Sequence, residues 1–196
     1  MLSPFQRRKL IRRFQTYDHD RKGYLCWEDI ERVLLQVLSM SGWSMNAPER
    51  QAFLLQGRTG WQLLAAAADV DANGQVDQEE WLNFYDAHVL QHSGDGGYPQ
   101  GALPEWLDTL IMLSFSAMDA DGNGVISLEE YQRYQRAHGF TDLDTIQEGF
   151  AAIDTNSDGT LSAEEWRRLS IDFYLGDDPK AASTWLWGDI YRGLFK

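Results

Sequence analysis

The chain is short of sulfur, of positive charge and of long apolar runs, and each shortage removes a class of function. Cys26 is the single cysteine, so no internal disulfide can form, and a reducing cytoplasmic setting is the simplest expectation. No segment approaches the roughly twenty apolar residues of a membrane span, and the amino-terminal Met1-Leu-Ser-Pro-Phe-Gln-Arg-Arg-Lys has no long apolar run. Lys and Arg number 17 against 30 Asp and Glu, a net charge of −13 over 196 residues. Phosphate binding needs a basic surface, so nucleic acid is not an expected partner. Four histidines, His19, His88, His92 and His138, are scattered near a loop, helix ends and a linker. No Cys/His or Ser/His/Asp constellation can be built from them, so solvated or capping roles are expected and no catalytic residue is assigned.

What the chain has instead is oxygen, spaced for a hard cation. Asp119-Ala-Asp121-Gly-Asn123-Gly124-Val125-Ile126-Ser127-Leu-Glu-Glu130 places oxygen side chains at loop positions 1, 3, 5 and 9, glycine at 6 and glutamate at 12. A calcium ion takes six to eight oxygens, and a loop of this length surrounds one point only if it turns sharply at its middle. Gly124 allows that turn, having no Cβ to clash in left-handed backbone space. Asp119, Asp121 and Asn123 then face inward, the Val125 carbonyl contributes from the main chain, Ser127 acts directly or through a water, and Glu130 closes the site with two oxygens. The pattern recurs with Asp69, Asp71, Asn73, Gly74, Gln75 (by its carbonyl), Asp77 and Glu80, and again with Asp154, Asn156, Asp158, Gly159, Thr160 (by its carbonyl), Ser162 and Glu165. Average residue usage puts one such match at roughly 1 in 100,000 per start position, so three matches are not accidental Asx turns.

The flanks support the loops. Phe115 and Met118 precede the Asp119 loop, and Phe150 and Ile153 precede the Asp154 loop, each pair on one face of an entering helix. Ser127 with Glu130 and Ser162 with Glu165 have capping-box spacing, so each loop also starts an exit helix. Apolar Val76, Ile126 and Leu161 at loop position 8 suit short strands that pair loops in twos.

An earlier loop departs from the pattern. Asp18-His-Asp20-Arg-Lys22-Gly23-Tyr24-Leu25-Cys26-Trp-Glu-Asp29 has lysine at position 5 and aspartate at position 12. Lysine offers no oxygen and brings a positive charge, and aspartate is a methylene short. An empty or weak site is expected, with Mg2+ favoured over Ca2+ if an ion binds. Gly23 and Leu25 remain, so the loop should still pair with the second through Leu25 and Val76. Three calcium ions would bring the net charge to about −7.

The rest of the chain organises around these four units. Ser3, Pro4 and Gln6 read as N-cap, first position and capping-box partner of a first helix. Its basic cluster, Arg7, Arg8, Lys9, Arg12 and Arg13, reads as a solvated face balancing an acidic body, with contact to an anionic lipid or partner as the alternative. Trp27 to Met40 reads as an exit helix, and Asn46, Pro48 and Glu49 mark the next helix start. Ala65 and Ala68 stand where the later units carry large apolar residues, which leaves space on that buried face for another part of the chain. Residues 93–101 read as a linker dividing an N-terminal pair, 1–92, from a C-terminal pair, 102–175. The tail, 176–196, carries Trp185, Leu186, Trp187, Ile190, Tyr191, Leu194 and Phe195. Exposed, it would make an unusually large apolar patch, so it is expected to fold into the cleft between the lobes. A docking surface for a partner is the alternative.

Four such units, a degenerate first loop, unequal spacing and an Asp177-Asp178-Pro179…Trp185-Leu-Trp187-Gly188 tail resemble the EF-hand superfamily, and within it the sarcoplasmic calcium-binding protein group with its calexcitin-like and bacterial-type relatives. The resemblance implies an all-α fold of four helix-loop-helix units in two facing lobes, calcium buffering as the default role, and a monomer. It also brings in photoproteins and luciferin-binding proteins, which enclose an aromatic ligand; eight tryptophans make a cavity conceivable, but the chain ends Phe195-Lys196 without the terminal proline of photoproteins. Three functions follow: a buffer; a sensor that exposes an apolar groove to a protein target; and a carrier of a small aromatic ligand. Sensors of the calmodulin type build their groove from methionine, and five scattered methionines favour the buffer.

Overall fold

The computed structural model describes residues 1–40, 43–44, 46–87 and 105–188. Among them are eight α-helices and four short strands: α1 (Pro4–Gln15), β1 (Tyr24–Leu25), α2 (Trp27–Met40), α3 (Pro48–Ala68), β2 (Val76–Asp77), α4 (Gln78–Tyr85), α5 (Glu105–Met118), β3 (Val125–Ser127), α6 (Leu128–Ala137), α7 (Leu143–Ile153), β4 (Thr160–Ser162) and α8 (Ala163–Leu175). A 3-10 turn, Ala182–Trp185, follows. The expected linker at 93–101, His88, His92 and the tail residues Ile190, Tyr191, Leu194 and Phe195 lie outside the described residues.

Local signals account for most helix starts. Ser3 caps α1 and exchanges capping-box bonds with Gln6; Ser127 with Glu130 and Ser162 with Glu165 do the same for α6 and α8. Asp77 with Glu80 forms an equivalent box on α4, and Asp142 caps α7. The start of α3 differs from expectation. Ala47, not Asn46, holds the N-cap position, and no side chain caps it; Pro48 follows at the first position, where its lacking N–H costs nothing.

The strands pair antiparallel in twos, with Leu25 opposite Val76 and Ile126 opposite Leu161. All four of these residues are essentially inaccessible. A second lock joins the same units. Trp81 of α4 donates its indole N–H to the Leu10 carbonyl of α1 at 3.0 Å. Trp166 of α8 donates to the Ile111 carbonyl of α5 at 3.2 Å and to Ser114 Oγ at 3.1 Å. Each tryptophan follows a loop's final glutamate, and each reaches the entering helix of the partner loop. Both indoles are buried, and a buried indole N–H without a partner would be costly.

Further packing joins α2 to both α3 and α6, and α3 to α5. Tyr85 of α4 stacks on Tyr174 of α8, with centroids 5.6 Å apart. After α8, Leu186 and Trp187 are buried. The Leu186 carbonyl accepts from Gln135 Nε2 of α6 at 3.0 Å, the Trp187 carbonyl accepts from Arg12 Nε of α1 at 3.0 Å, and Ser183 Oγ donates to Asp172 of α8 at 2.6 Å.

The reading of the basic cluster as a solvated face is overturned in part. Arg7 and Arg8 are exposed, but Lys9, Arg12 and Arg13 are buried. Carbonyl groups and aromatic rings from distant parts of the chain take these cations. Lys9 Nζ donates to the Gly176 carbonyl at 2.6 Å and to the Asp172 carbonyl at 3.4 Å, at the C-terminal end of α8, where the helix dipole favours a cation. Arg12 lies 5.0 Å from the Phe140 ring centroid, and Arg13 stacks 3.6 Å from that of Trp187.

Burial lowers the Lys9 pKa from 10.5 to about 8, against the attraction of Asp172 and Asp177. The unfolded chain therefore holds this proton more tightly than the folded one. Stability contributed by Lys9 is reduced below about pH 8 and rises as pH increases from there toward 10.5. The expected result is that the wild type gains in melting temperature relative to Lys9→Met between about pH 7 and about pH 9.5. A gap independent of pH in that window would show that Lys9 is not titrating.

Candidate metal centre

In the second loop the chain leaves α3 at Asp69 and re-enters a helix at α4. Gly74 adopts φ +81°, where a side chain is disfavoured, and the turn carries successive amides toward the loop's own carboxylates. Asp69 Oδ1 accepts from the Asn73 amide at 3.1 Å and Oδ2 from the Gly74 amide at 2.9 Å. Asn73 Oδ1 accepts from the Gln75 amide at 2.8 Å. Glu80 is held at both oxygens: Oε1 accepts from the Val70 amide at 2.9 Å and Oε2 from the Asp77 amide at 3.0 Å. Asp69, Asp71 and Glu80 each bring a carboxylate oxygen within 4.8 Å of the others.

The third loop repeats this arrangement. Asp119 accepts from the Asn123 and Gly124 amides, each at 3.0 Å. Glu130 Oε1 accepts from the Ala120 amide at 2.9 Å, and Oε2 from the Ser127 amide and hydroxyl at 2.8 Å. Asp119, Asp121 and Glu130 form a second cluster within 4.8 Å, and here the glutamate is buried. Val125 and Gln75 occupy the equivalent position ahead of the strand bond, where their carbonyls are the relevant atoms.

The fourth loop shares the backbone path, with Gly159 at φ +85° and Asp154 accepting from the Asp158 and Gly159 amides at 3.2 and 2.9 Å. Its third position is Asn156 and its carboxylates are Asp154, Asp158 and Glu165, which do not form a cluster as close as those of the second and third loops. Asp158 Oδ1 accepts from the Thr160 amide and hydroxyl at 2.9 and 2.8 Å, and Oδ2 from Asn156 at 2.9 Å. Glu165 Oε2 accepts from the Ser162 amide and hydroxyl at 3.1 and 2.9 Å.

The first loop carries its own cation. Lys22 Nζ lies 2.5 Å from each Asp29 oxygen and 3.2 Å from Asp20 Oδ1, while Asp18 receives the Lys22 and Gly23 amides at 3.0 Å. Asp29 is buried and also receives Arg32 and the Cys26 amide. Burial opposes charge on both partners, but their mutual hydrogen bonds prevail: Asp29 lies below its ordinary carboxylate value and Lys22 above its ordinary 10.5. The ammonium thus bridges positions 3 and 12, two of the three carboxylate positions (1, 3 and 12) that form the clusters of the second and third loops. Nearby, burial pushes the Cys26 thiol up to about 11, so it stays protonated and unreactive at neutral pH.

Two features had no local signal. The fourth position of every loop is left-handed, at Arg21, Ala72, Gly122 and Ser157 with φ between 57° and 71°, yet only one of these is glycine. His138, expected to be solvated or capping, is the C-cap of α6 and fully buried; burial holds its pKa down to about 3, so it is neutral.

The donors in the three regular loops are carboxylate, amide, hydroxyl and main-chain oxygens, without thiolate or imidazole. Such a set fits a hard divalent cation and discriminates against softer transition metals. Among the described residues, no helix is long and apolar enough to cross a membrane.

A family model for the EF hand matches residues 66–85, 111–133 and 146–170. The sarcoplasmic calcium-binding proteins I, III and IV of Branchiostoma lanceolatum are 25% identical over 134 residues, covering 68% of this chain and 70% of theirs. The fold is similar to that of a sarcoplasmic calcium-binding protein from amphioxus, with a TM-score of 0.72, 20% identity and coverage of 95% and 98%. It is also similar to the calcium-loaded apo form of a coelenterazine-binding protein from Renilla muelleri, with a TM-score of 0.70, 22% identity and coverage of 96% and 99%.

Proposed function

We propose that this chain, an EF-hand protein similar to the sarcoplasmic calcium-binding proteins, binds three calcium ions and serves as a calcium buffer. The ligands of one ion are Asp69, Asp71, Asn73, Asp77, Glu80 and the Gln75 carbonyl. Those of the second are Asp119, Asp121, Asn123, Ser127, Glu130 and the Val125 carbonyl; those of the third are Asp154, Asn156, Asp158, Ser162, Glu165 and the Thr160 carbonyl. When bound, calcium supplies positive charge that cancels the repulsion of clustered carboxylates. The chain's own contribution is preorganisation: the loop amides hold Asp69, Asp119, Glu80 and Glu130 in place by hydrogen bonds.

The first loop takes neither Ca2+ nor Mg2+ in this reading, because Lys22 already neutralises Asp29 and Asp20. Its unit thereby holds the closed arrangement of a loaded loop without metal. The four units form two lobes, 1–92 and 102–175, with the tail between them. Support for that arrangement comes from the paired strands within each half and from the carbonyls of Leu186 and Trp187 on α6 and α1.

The observation that carries the buffer reading is the interior. The residues that would line an opening groove are rigid aromatics locked by specific bonds, including Trp81, Trp166 and the stacked Tyr85 and Tyr174. Opening would break these contacts, and no set of methionines stands ready to replace them. The test is fluorescence of a hydrophobic dye with the purified protein at rising calcium and constant magnesium. Flat or falling fluorescence as the sites fill is the expected outcome; a rise would establish a sensor.

A further inference from the structure

Position 12 closes each loop, and the residue three places beyond it lies one helix turn on, over the same face, with Cβ atoms roughly 5–6 Å apart. That residue is arginine after three of the loops, at Arg32, Arg133 and Arg168, and asparagine, Asn83, after the second. A cation in the early turns of an exit helix gains nothing from the helix dipole, which favours positive charge at the other end. What each arginine meets is the closing carboxylate or a group bonded to it.

The contacts form a graded series. In the first loop Arg32 pairs directly with Asp29, which Lys22 also holds and whose side chain is only 2% exposed. In the third, a terminal nitrogen of Arg133 stands 3.9 Å from Glu130 Oε1, the oxygen that accepts from the Ala120 amide. In the fourth the link is indirect: Arg168 donates to Thr155 Oγ1 at 2.7 Å, and the Thr155 hydroxyl donates to Glu165 Oε1 at 3.3 Å. In the second loop Glu80 accepts from the Val70 and Asp77 amides and Asn83 is exposed; among the described residues no cation pairs with Glu80.

We infer that the residue three places beyond the closing carboxylate sets each loop's calcium affinity, arginine there being a tethered competitor that holds the third and fourth loops below the second. This rests on the three-calcium reading above. Calcium needs both oxygens of the closing glutamate. Filling the third loop takes Glu130 from an existing counter-charge and leaves Arg133 facing a site of its own sign, and both terms oppose binding. Burial of Glu130 limits the screening by water. The fourth loop is affected less, since Arg168 is exposed and acts through a hydroxyl. The second loop has no such arginine and carries a fourth carboxylate, Asp77. It fills first, and the C-terminal pair is a reserve that takes up calcium at higher free concentrations, which widens the range over which the protein buffers.

The full-length protein is titrated with calcium against a competing chelator, each loop being followed by the amide resonance of its own glycine, Gly74, Gly124 or Gly159. Arg133→Met should tighten the third loop about three- to tenfold, and Arg133→Lys, which keeps the charge, should stay near the wild-type value. Arg136→Met removes the same charge from an exposed position one turn further on and should change the third loop by less than about twofold. Asn83→Arg should loosen the second loop about three- to tenfold. A metal-free readout accompanies these: without calcium, the losses in melting temperature caused by Arg133→Met and Glu130→Gln should be less than additive, because each removes the same pair. An unchanged third loop in Arg133→Met, an equal gain in Arg136→Met, an unchanged second loop in Asn83→Arg or additive metal-free losses would each overturn the assignment while leaving calcium binding intact. Wild-type loops that do not respond to calcium would overturn the three-calcium reading and the assignment with it.

Discussion

Replacing Lys22 with asparagine and Asp29 with glutamate together should raise the calcium stoichiometry from three to four. The first loop retains the parts that set backbone shape: Gly23 at φ +84°, Asp18 bound to the Lys22 and Gly23 amides, and the Leu25–Val76 strand pairing. What it lacks is room for a second cation. Lys22→Asn removes the ammonium that spans Asp20 and Asp29 and puts an oxygen at position 5, and Asp29→Glu restores the reach needed for two oxygens. Lys22→Asn alone should bind weakly, because Asp29 remains short and engaged by Arg32. It should also lose about 1–3 kcal/mol of calcium-free stability, since a buried carboxylate has lost a charged partner. Calorimetric titration decides the stoichiometry, and three sites in a folded double variant would refute the tethered-cation account.

The charges of that pair also fix its pH behaviour. Asp29 is depressed below its ordinary 3.8, so its contribution is complete above that value and is lost as acid carries the pH through the folded value. Lys22 is raised above 10.5, so its contribution is complete below that value and is lost only in stronger alkali. Between these limits the internal cation stays in place, unlike a metal whose occupancy follows its concentration. On the proposed assignment, the first loop's permanent cation is joined through the Leu25–Val76 pairing to an exchangeable one in the second loop.

The legibility of this molecule follows the range of its interactions. The loops could be read because their chemistry is local: Asp69 and Glu80, or Asp119 and Glu130, are set by spacing within one turn of chain. The strand pairing was readable too, since Leu25, Val76, Ile126 and Leu161 occupy one loop position. Lys22 announced a defect but not its geometry, because a lysine can point to water as readily as into a loop. Contacts formed by distant segments were silent. Nothing near Lys9 or Arg12 signals the carbonyls of Gly176 and Trp187 that take them, and nothing near Trp81 signals the Leu10 carbonyl. The periodic alternation of cations with Leu10 and Phe14 suggested an ordinary solvated face; the aromatic and carbonyl-rich surroundings supplied by α8 and the tail removed that solvent.

Glu130→Gln should weaken the third loop by a hundredfold or more, about 2.7 kcal/mol, without unfolding the protein. Glutamine can still accept from the Ser127 amide as the capping-box partner of α6, so the helix start survives. It offers one oxygen in place of two and no charge, and its amide nitrogen would face a cation. The loss should be larger than for an exposed position, because Glu130 is buried and its attraction to an ion is less screened by water. The neighbouring Glu129→Gln is the control: Glu129 is exposed and removes the same charge without removing a ligand, so it should leave all three affinities nearly unchanged. The Ile126–Leu161 pairing adds a second expectation. Emptying the third loop should weaken the fourth by a smaller factor, through the shared strands, and leave the second unaffected. Equal losses for Glu129→Gln and Glu130→Gln would mean that general electrostatics, not ligation by Glu130, controls the site.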